Sequence, residues 1–227
     1  MTEQALRLKV GDRVGEVSAL LLAPRDARGL LVFGHGAGAG MRHSFMQAMA
    51  DRLATRGLAT FRYQFPYMEK GGRRPDPPGV LTATVREAFA AAAAAAPGLP
   101  LLAGGKSMGG RLTSVAAAKG ELPGLCGLVF FGFPLHPAGR PSTDRAAHLP
   151  DVPAPMLFLQ GTHDSLADLG LLRPICERLA APAHLHVIDG ADHGFHVLKS
   201  SGRTEAEVLD ELAEVAVAWA DRLANDS

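Results

Sequence analysis

The feature that most constrains this chain is an alternation. Short, almost wholly apolar runs, each closing near a glycine or a polar residue, take turns with longer stretches of helical periodicity. The runs are GLLVFGHG from position 29, LATFRYQF from 58, LPLLAGG from 99, GLCGLVFFG from 124, APMLFLQG from 154 and AHLHVIDG from 183. A strand that stays apolar on consecutive residues has to bury both faces, which is the situation of a parallel sheet with helices on either side. Between the runs, Ser44 with Gln47 three positions on resembles a capping box. It opens a helix with an apolar face of Phe45, Met49 and Leu53, flanked by Met46 and Ala50 and closed by Arg56 and Gly57. Helices are expected over residues 81–96, 108–119 and 165–180, and a further, final helix carries Val208, Leu209, Leu212, Val215, Ala216, Trp219 and Leu223 as one stripe. Ahead of the series, ALRLKV and EVSALLLA flank a Gly-Asp turn and read as a hairpin. The expected fold is therefore α/β: a mostly parallel sheet with an N-terminal antiparallel hairpin, helices on both faces, and one domain spanning residues 1–227.

Composition removes several function classes. Lys plus Arg and Asp plus Glu both number 23, so nothing electrostatic favours nucleic acid or an anionic membrane surface. No stretch has the length of a membrane span or a signal-peptide core, which makes a cytoplasmic protein the expectation. Cys126 and Cys176 are too few for a disulfide framework and are expected as buried free thiols. The oligomeric state has no signature.

In an open parallel sheet, ligands bind at the carboxyl ends of the strands. The polar residues there are His35 to Gly40, Ser107, His163 with Asp164, and Asp189 to His196. Gly105-Lys106-Ser107-Met108-Gly109 fits G-x-S-x-G between a strand and a helix, a spacing that sets a serine on a sharp turn with its hydroxyl outward. Such a hydroxyl needs a base to take its proton and a carboxylate to orient the base. Asp164 and His193 follow in the order Ser, Asp, His, with Asp168 and Asp144 competing for the acid and His196 for the base.

Taken together, FGHGAGAG, FRYQFPYME, GGKSMGGR, FFGFPLH, LQGTHD and GADHGFH make the chain resemble the α/β-hydrolase fold superfamily over essentially its whole length. Within it, they are similar to the small dienelactone-hydrolase-like branch that includes the hydrolase-like domains of testis-expressed protein 30 and of subunit 3 of the NSL histone-acetylation complex. The resemblance implies Ser107 as nucleophile, Asp164 as orienting acid and His193 as base. It also implies an oxyanion hole from the amides of Met108 and Ala37. The implied activity is that of a serine hydrolase on a small soluble ester or thioester, without cofactor or metal. An inert interaction module or an acyltransferase are the alternatives. Dienelactone hydrolases proper use cysteine where this chain has Ser107. His35, Met41, Phe65, Tyr67, Phe133 and His136 lie near expected loop mouths and are candidates for a substrate pocket, with core or rim positions as the other reading. The segment between FFGFP and APMLF is too short for a large lid domain, so an open pocket is expected.

Other patterns fail on their own terms. Gly105-Lys106-Ser107 lacks the glycine of a phosphate-binding loop, because position 100 is proline. GHGAGA, residues 34–39, matches a dinucleotide pattern, but the next strand ends in Arg62, Tyr63 and Gln64 without the expected acid. His184, His186, His193 and His196 have no spacing typical of a metal site.

Overall fold

Eight strands form one sheet in the order β1-β2-β4-β3-β5-β6-β7-β8, as described over residues 2–225 by a computed structural model. The strands are β1 (Glu3–Lys9), β2 (Glu16–Leu22), β3 (Gly29–Gly34), β4 (Leu58–Tyr63), β5 (Leu101–Lys106), β6 (Leu125–Phe131), β7 (Met156–Gly161) and β8 (Ala183–Ile188). β2 is antiparallel to both β1 and β4, and every other pairing is parallel. The expected hairpin is present, but its connection is longer than a Gly-Asp turn: a helical turn, α1 (Gly11–Val14), lies between its strands.

The apolar runs divide their side chains between two cores. From β3, Leu30 and Val32 enter one core, while Leu31 and Phe33 enter the other. The first core is covered by α4 (Pro78–Ala95), α5 (Met108–Ala118) and α6 (Leu169–Arg178), the second by α2 (Ser44–Ala54) and α7 (Glu205–Asn225). Trp219 and Leu212 of α7 are almost completely buried. Full burial of such side chains stabilises by about 2–3 kcal/mol each. A further single turn, α3 (Pro66–Glu69), follows β4.

Several boundaries differ from the periodicity. α2 is capped by His43, whose Nδ1 accepts the Phe45 N–H at 3.3 Å, and Ser44 is already helical. Gln47 is drawn away from any capping box by Asp51 and the buried Arg62. α4 begins at Pro78, since proline lacks only an N–H that a first turn leaves unpaired anyway. α6 begins at Leu169 because Asp168 caps it, accepting the Gly170 N–H at 2.7 Å, and the preceding residues turn around Asp164. Cys176 is buried as expected, whereas Cys126, at the start of β6, is half-buried. No helix among the described residues is long and apolar enough to cross a membrane.

Candidate active site

The turn between β5 and α5 is built from backbone-to-backbone contact. A Cβ on Gly105 would lie 2.2 Å from the Gly34 carbonyl oxygen, one on Gly109 2.3 Å from the same atom, and one on Gly104 1.9 Å from that of Val129. With those side chains absent, α5 starts directly against β3 and β5. Ser107 takes up the reversal at φ 51°, ψ −115°, one of two non-glycine residues with positive φ among those described. Holding a serine there costs about 1–3 kcal/mol. The turn is pinned by Ser107 N–H to the Phe131 carbonyl at 3.1 Å and Arg111 N–H to the Ser107 carbonyl at 3.1 Å.

Two other strand ends meet this serine. His193, after β8, sets Nε2 2.8 Å from Ser107 Oγ and Nδ1 2.7 Å from Asp164 Oδ2, after β7. A carboxylate only accepts, so Nδ1 carries the proton and the Nε2 lone pair faces the hydroxyl. Asp164 is buried. Its Oδ1 accepts the Leu166 N–H at 2.7 Å, and Oδ2 also accepts from Gln160 Nε2. Gln160 Oε1 in turn accepts the Phe133 N–H at 2.9 Å, so the series Gln160, Asp164, His193, Ser107 is held from its far end by the main chain after β6. The His193 loop is tied by Asp192, whose Oδ1 accepts the Gly194 and His196 N–H groups at 2.7 and 2.9 Å. Burial alone would raise the Asp192 carboxyl, but these bonds and the His196 charge hold it below its usual range.

The loop after β3 completes the edge. His35 Nδ1 lies 2.8 Å from the Gly36 carbonyl, while Nε2 accepts the Phe65 N–H at 3.1 Å, which leaves the ring proton on Nδ1. Burial pushes this imidazole down to about 4, so it is neutral at pH 7. Tyr67 Oη accepts the Gly38 N–H at 3.1 Å. Ala37 and Ser107 both line a cavity of about 500 Å³. The amide of Met108 is the first of α5 and has no acceptor within its own helix.

The cavity walls come from elsewhere than the expected loop mouths. Phe45 and Met46 of α2, Phe195 after β8 and Leu209 of α7 supply the apolar surface, with Lys106, His43, His196 and Glu205 as polar groups. None of His35, Met41, Phe65, Tyr67, Phe133 and His136 lines it. Phe65, Tyr67 and Phe133 instead enter the core under α4, α5 and α6, because the loops after β4 and β6 fold toward that face. His136 is buried against the segment ahead of α6, with Nε2 accepting the Asp168 N–H at 2.9 Å, and Met41 borders a separate shallow cavity with Gln64 and Met68. Gln160 and Lys106 had gone unread as site residues. The one polar side chain in the run MLFLQG was the available signal for Gln160. A further cavity, about 340 Å³, lies among Arg28, Leu58, Pro100, Cys126 and Asp221, at the opposite ends of the strands. Among the described residues no cluster of three or more His, Cys, Asp or Glu side chains is arranged to hold a metal ion.

A family model described as an alpha/beta hydrolase domain matches residues 27–221. The chain belongs to the alpha/beta hydrolase family. This hydrolase domain is similar in structure to a dienelactone hydrolase from Anabaena variabilis, at 24% identity and TM-score 0.75, with 96% of each chain covered. It is also similar to an α/β serine hydrolase homologue from Coxiella burnetii, at 19% identity and TM-score 0.74, covering 96% of this chain and 97% of that one. A third similar structure is a lidless α/β serine hydrolase from Xanthomonas campestris, at 21% identity and TM-score 0.72, covering 96% and 95%. At these identities the likeness is one of fold. In this hydrolase domain residues 132–155 between β6 and β7 include two short 3₁₀ turns, and Ala146, Leu149 and Val152 enter the core.

Proposed function

We propose that this hydrolase domain cleaves a small ester or thioester through an acyl-enzyme on Ser107. One observation carries the proposal: Ser107, His193 and Asp164, from three strand ends, are joined by hydrogen bonds of 2.8 and 2.7 Å at the wall of an open cavity. His193 Nε2 takes the Ser107 proton as Oγ attacks the carbonyl carbon, and Asp164 stabilises the imidazolium. The oxyanion receives hydrogen bonds from the amides of Ala37 and Met108. His193 then protonates the leaving oxygen or sulfur and activates the water that frees the acid. The neutral imidazole of His35 keeps the oxyanion loop on the Phe65 main chain without adding charge.

The apolar wall of Phe45, Met46, Phe195 and Leu209 suits a substrate with a hydrocarbon or aromatic part of modest size. Acyl transfer to an alcohol or amine would use the same three side chains, but the absence of a lid over the cavity favours water as acceptor. Kinship with the branch of testis-expressed protein 30 and subunit 3 of the NSL complex, suggested by the motifs, belongs to this proposal as well. Labelling with a fluorophosphonate probe, read by intact mass, tests it. Wild type is expected to gain one adduct mapped to Ser107, and Ser107→Ala and His193→Ala none. A folded wild type that takes up no probe overturns the reading.

A further inference from the structure

Lys106 sits between Gly105 and Ser107 in the elbow, and the mechanism above leaves it unused. Its side chain does not extend into solvent. Nζ donates to the main-chain carbonyl of His193 at 2.6 Å and lies 5.8 and 5.4 Å from the ring centroids of Phe45 and Phe195, which stack at 5.8 Å and 15°. Gly132 closes the far side. A Cβ there would lie 3.1 Å from Lys106 Nζ and 3.4 Å from both Cε1 and Nδ1 of the His193 ring, so the missing side chain leaves room for the ammonium beside the imidazole.

We propose that Lys106 is a positioning residue for this site, its ammonium fastening the His193 main chain to the Ser107 elbow and setting a positive charge beside the imidazole. The inference rests on the serine-hydrolase reading and deepens it. The charge is present at neutral pH: burial pushes the lysine down to about 8, and Asp164 and Asp192 work against that fall. The other ionisable groups around the two are His196 on the same loop, His43 at the start of α2 and Glu205 at the start of α7. The charge-assisted hydrogen bond to the backbone holds the ring where both its nitrogens meet their partners.

The test is the rate of fluorophosphonate labelling at Ser107 at pH 7, for wild type, Lys106→Met and Lys106→Arg, each checked for folding by its thermal midpoint. Lys106→Met keeps the apolar stem but removes both donor and charge. It is expected to label roughly 10-fold to 100-fold more slowly. Lys106→Arg, which keeps charge and donor, is expected to return much of the rate. If Lys106→Met does not fold, Lys106→Gln carries the same comparison. A folded variant that matches wild type in rate overturns the inference and leaves the hydrolase reading intact. A slower variant that arginine does not rescue assigns Lys106 to packing alone, which also overturns it. Absence of labelling in wild type removes both this inference and the reading beneath it.

Discussion

The geometry at Ser107 depends on residues that never touch a substrate. Gln160 is the clearest case, since it is fully buried and spans the gap between the Phe133 main chain and Asp164. Replacing it by leucine, of similar volume, leaves the Phe133 N–H without a partner and removes one donor from the carboxylate. An unsatisfied buried donor costs about 1–3 kcal/mol of stability. If the lost donor also lets Asp164 turn, the labelling rate at Ser107 should fall about tenfold, the equivalent of ~1.4 kcal/mol in the barrier. Urea titration and the labelling rate of Gln160→Leu check the two parts separately. Wild-type labelling would assign Gln160 to stability alone.

At the scale of elements, the elbow is a junction where glycines let β3, β5 and α5 approach at main-chain distance. The sequence reading ascribed these glycines to the exposure of Ser107. The close contacts show a second reason, the seating of the helix against Gly34 and His35. Gly109→Ala is therefore expected to destabilise by about 3 kcal/mol, because the new methyl would meet the Gly34 carbonyl at 2.3 Å and backbone has to move. The same substitution at Gly79, in the first turn of α4, meets nothing within 4 Å. There the better helix propensity of alanine predicts a gain of up to ~1 kcal/mol. Urea midpoints of the two variants should thus move in opposite directions. A shared direction would mean that the crowding at Gly109 relaxes more easily than its neighbours suggest.

For the whole molecule, buried His35 and half-buried His148 link folding to pH. His35 is held down to about 4 by burial, from an ordinary value of 6.5, and His148, bonded to Ser114, is also pushed down to about 4 by burial and by Arg111. The unfolded chain therefore binds these protons first as pH falls. Their contribution is complete above about pH 6.5 and is lost progressively between there and pH 4, amounting to about 3 kcal/mol for His35. Unfolding free energy measured at pH 7, 6, 5 and 4.5 is expected to fall steadily in wild type and less steeply in His35→Gln. Equal slopes would mean that His35 takes up its proton in the folded state without penalty.

The alternation of strands and helices could be read from residues alone, because the strands from β3 to β7 are buried on both faces over most of their length and most of their positions report that burial by being apolar, Thr60, Arg62, Lys106 and Gln160 excepted. The elbow was readable for a related reason: a serine at positive φ between main chains in contact leaves only glycine two positions to either side, and that demand is local. The strand ends narrowed the polar candidates, and the family resemblance chose Asp164 over Asp168 and Asp144 and His193 over His196. The walls of the cavity could not be read this way. Phe45, Phe195 and Leu209 belong to helical or loop patterns that look the same whether they face a core or a cavity. Phe65, Tyr67 and Phe133 share the right strand ends yet turn into the opposite core. Which way a loop folds depends on where the two cores have room, and that is a property of both sheet faces and their helices together. The sequence by itself determined the sheet and which polar residues stand at its strand ends. Only the tertiary structure decided which apolar groups surround them and that Lys106 reaches the main chain of His193, because those contacts join segments whose local patterns carry no information about one another.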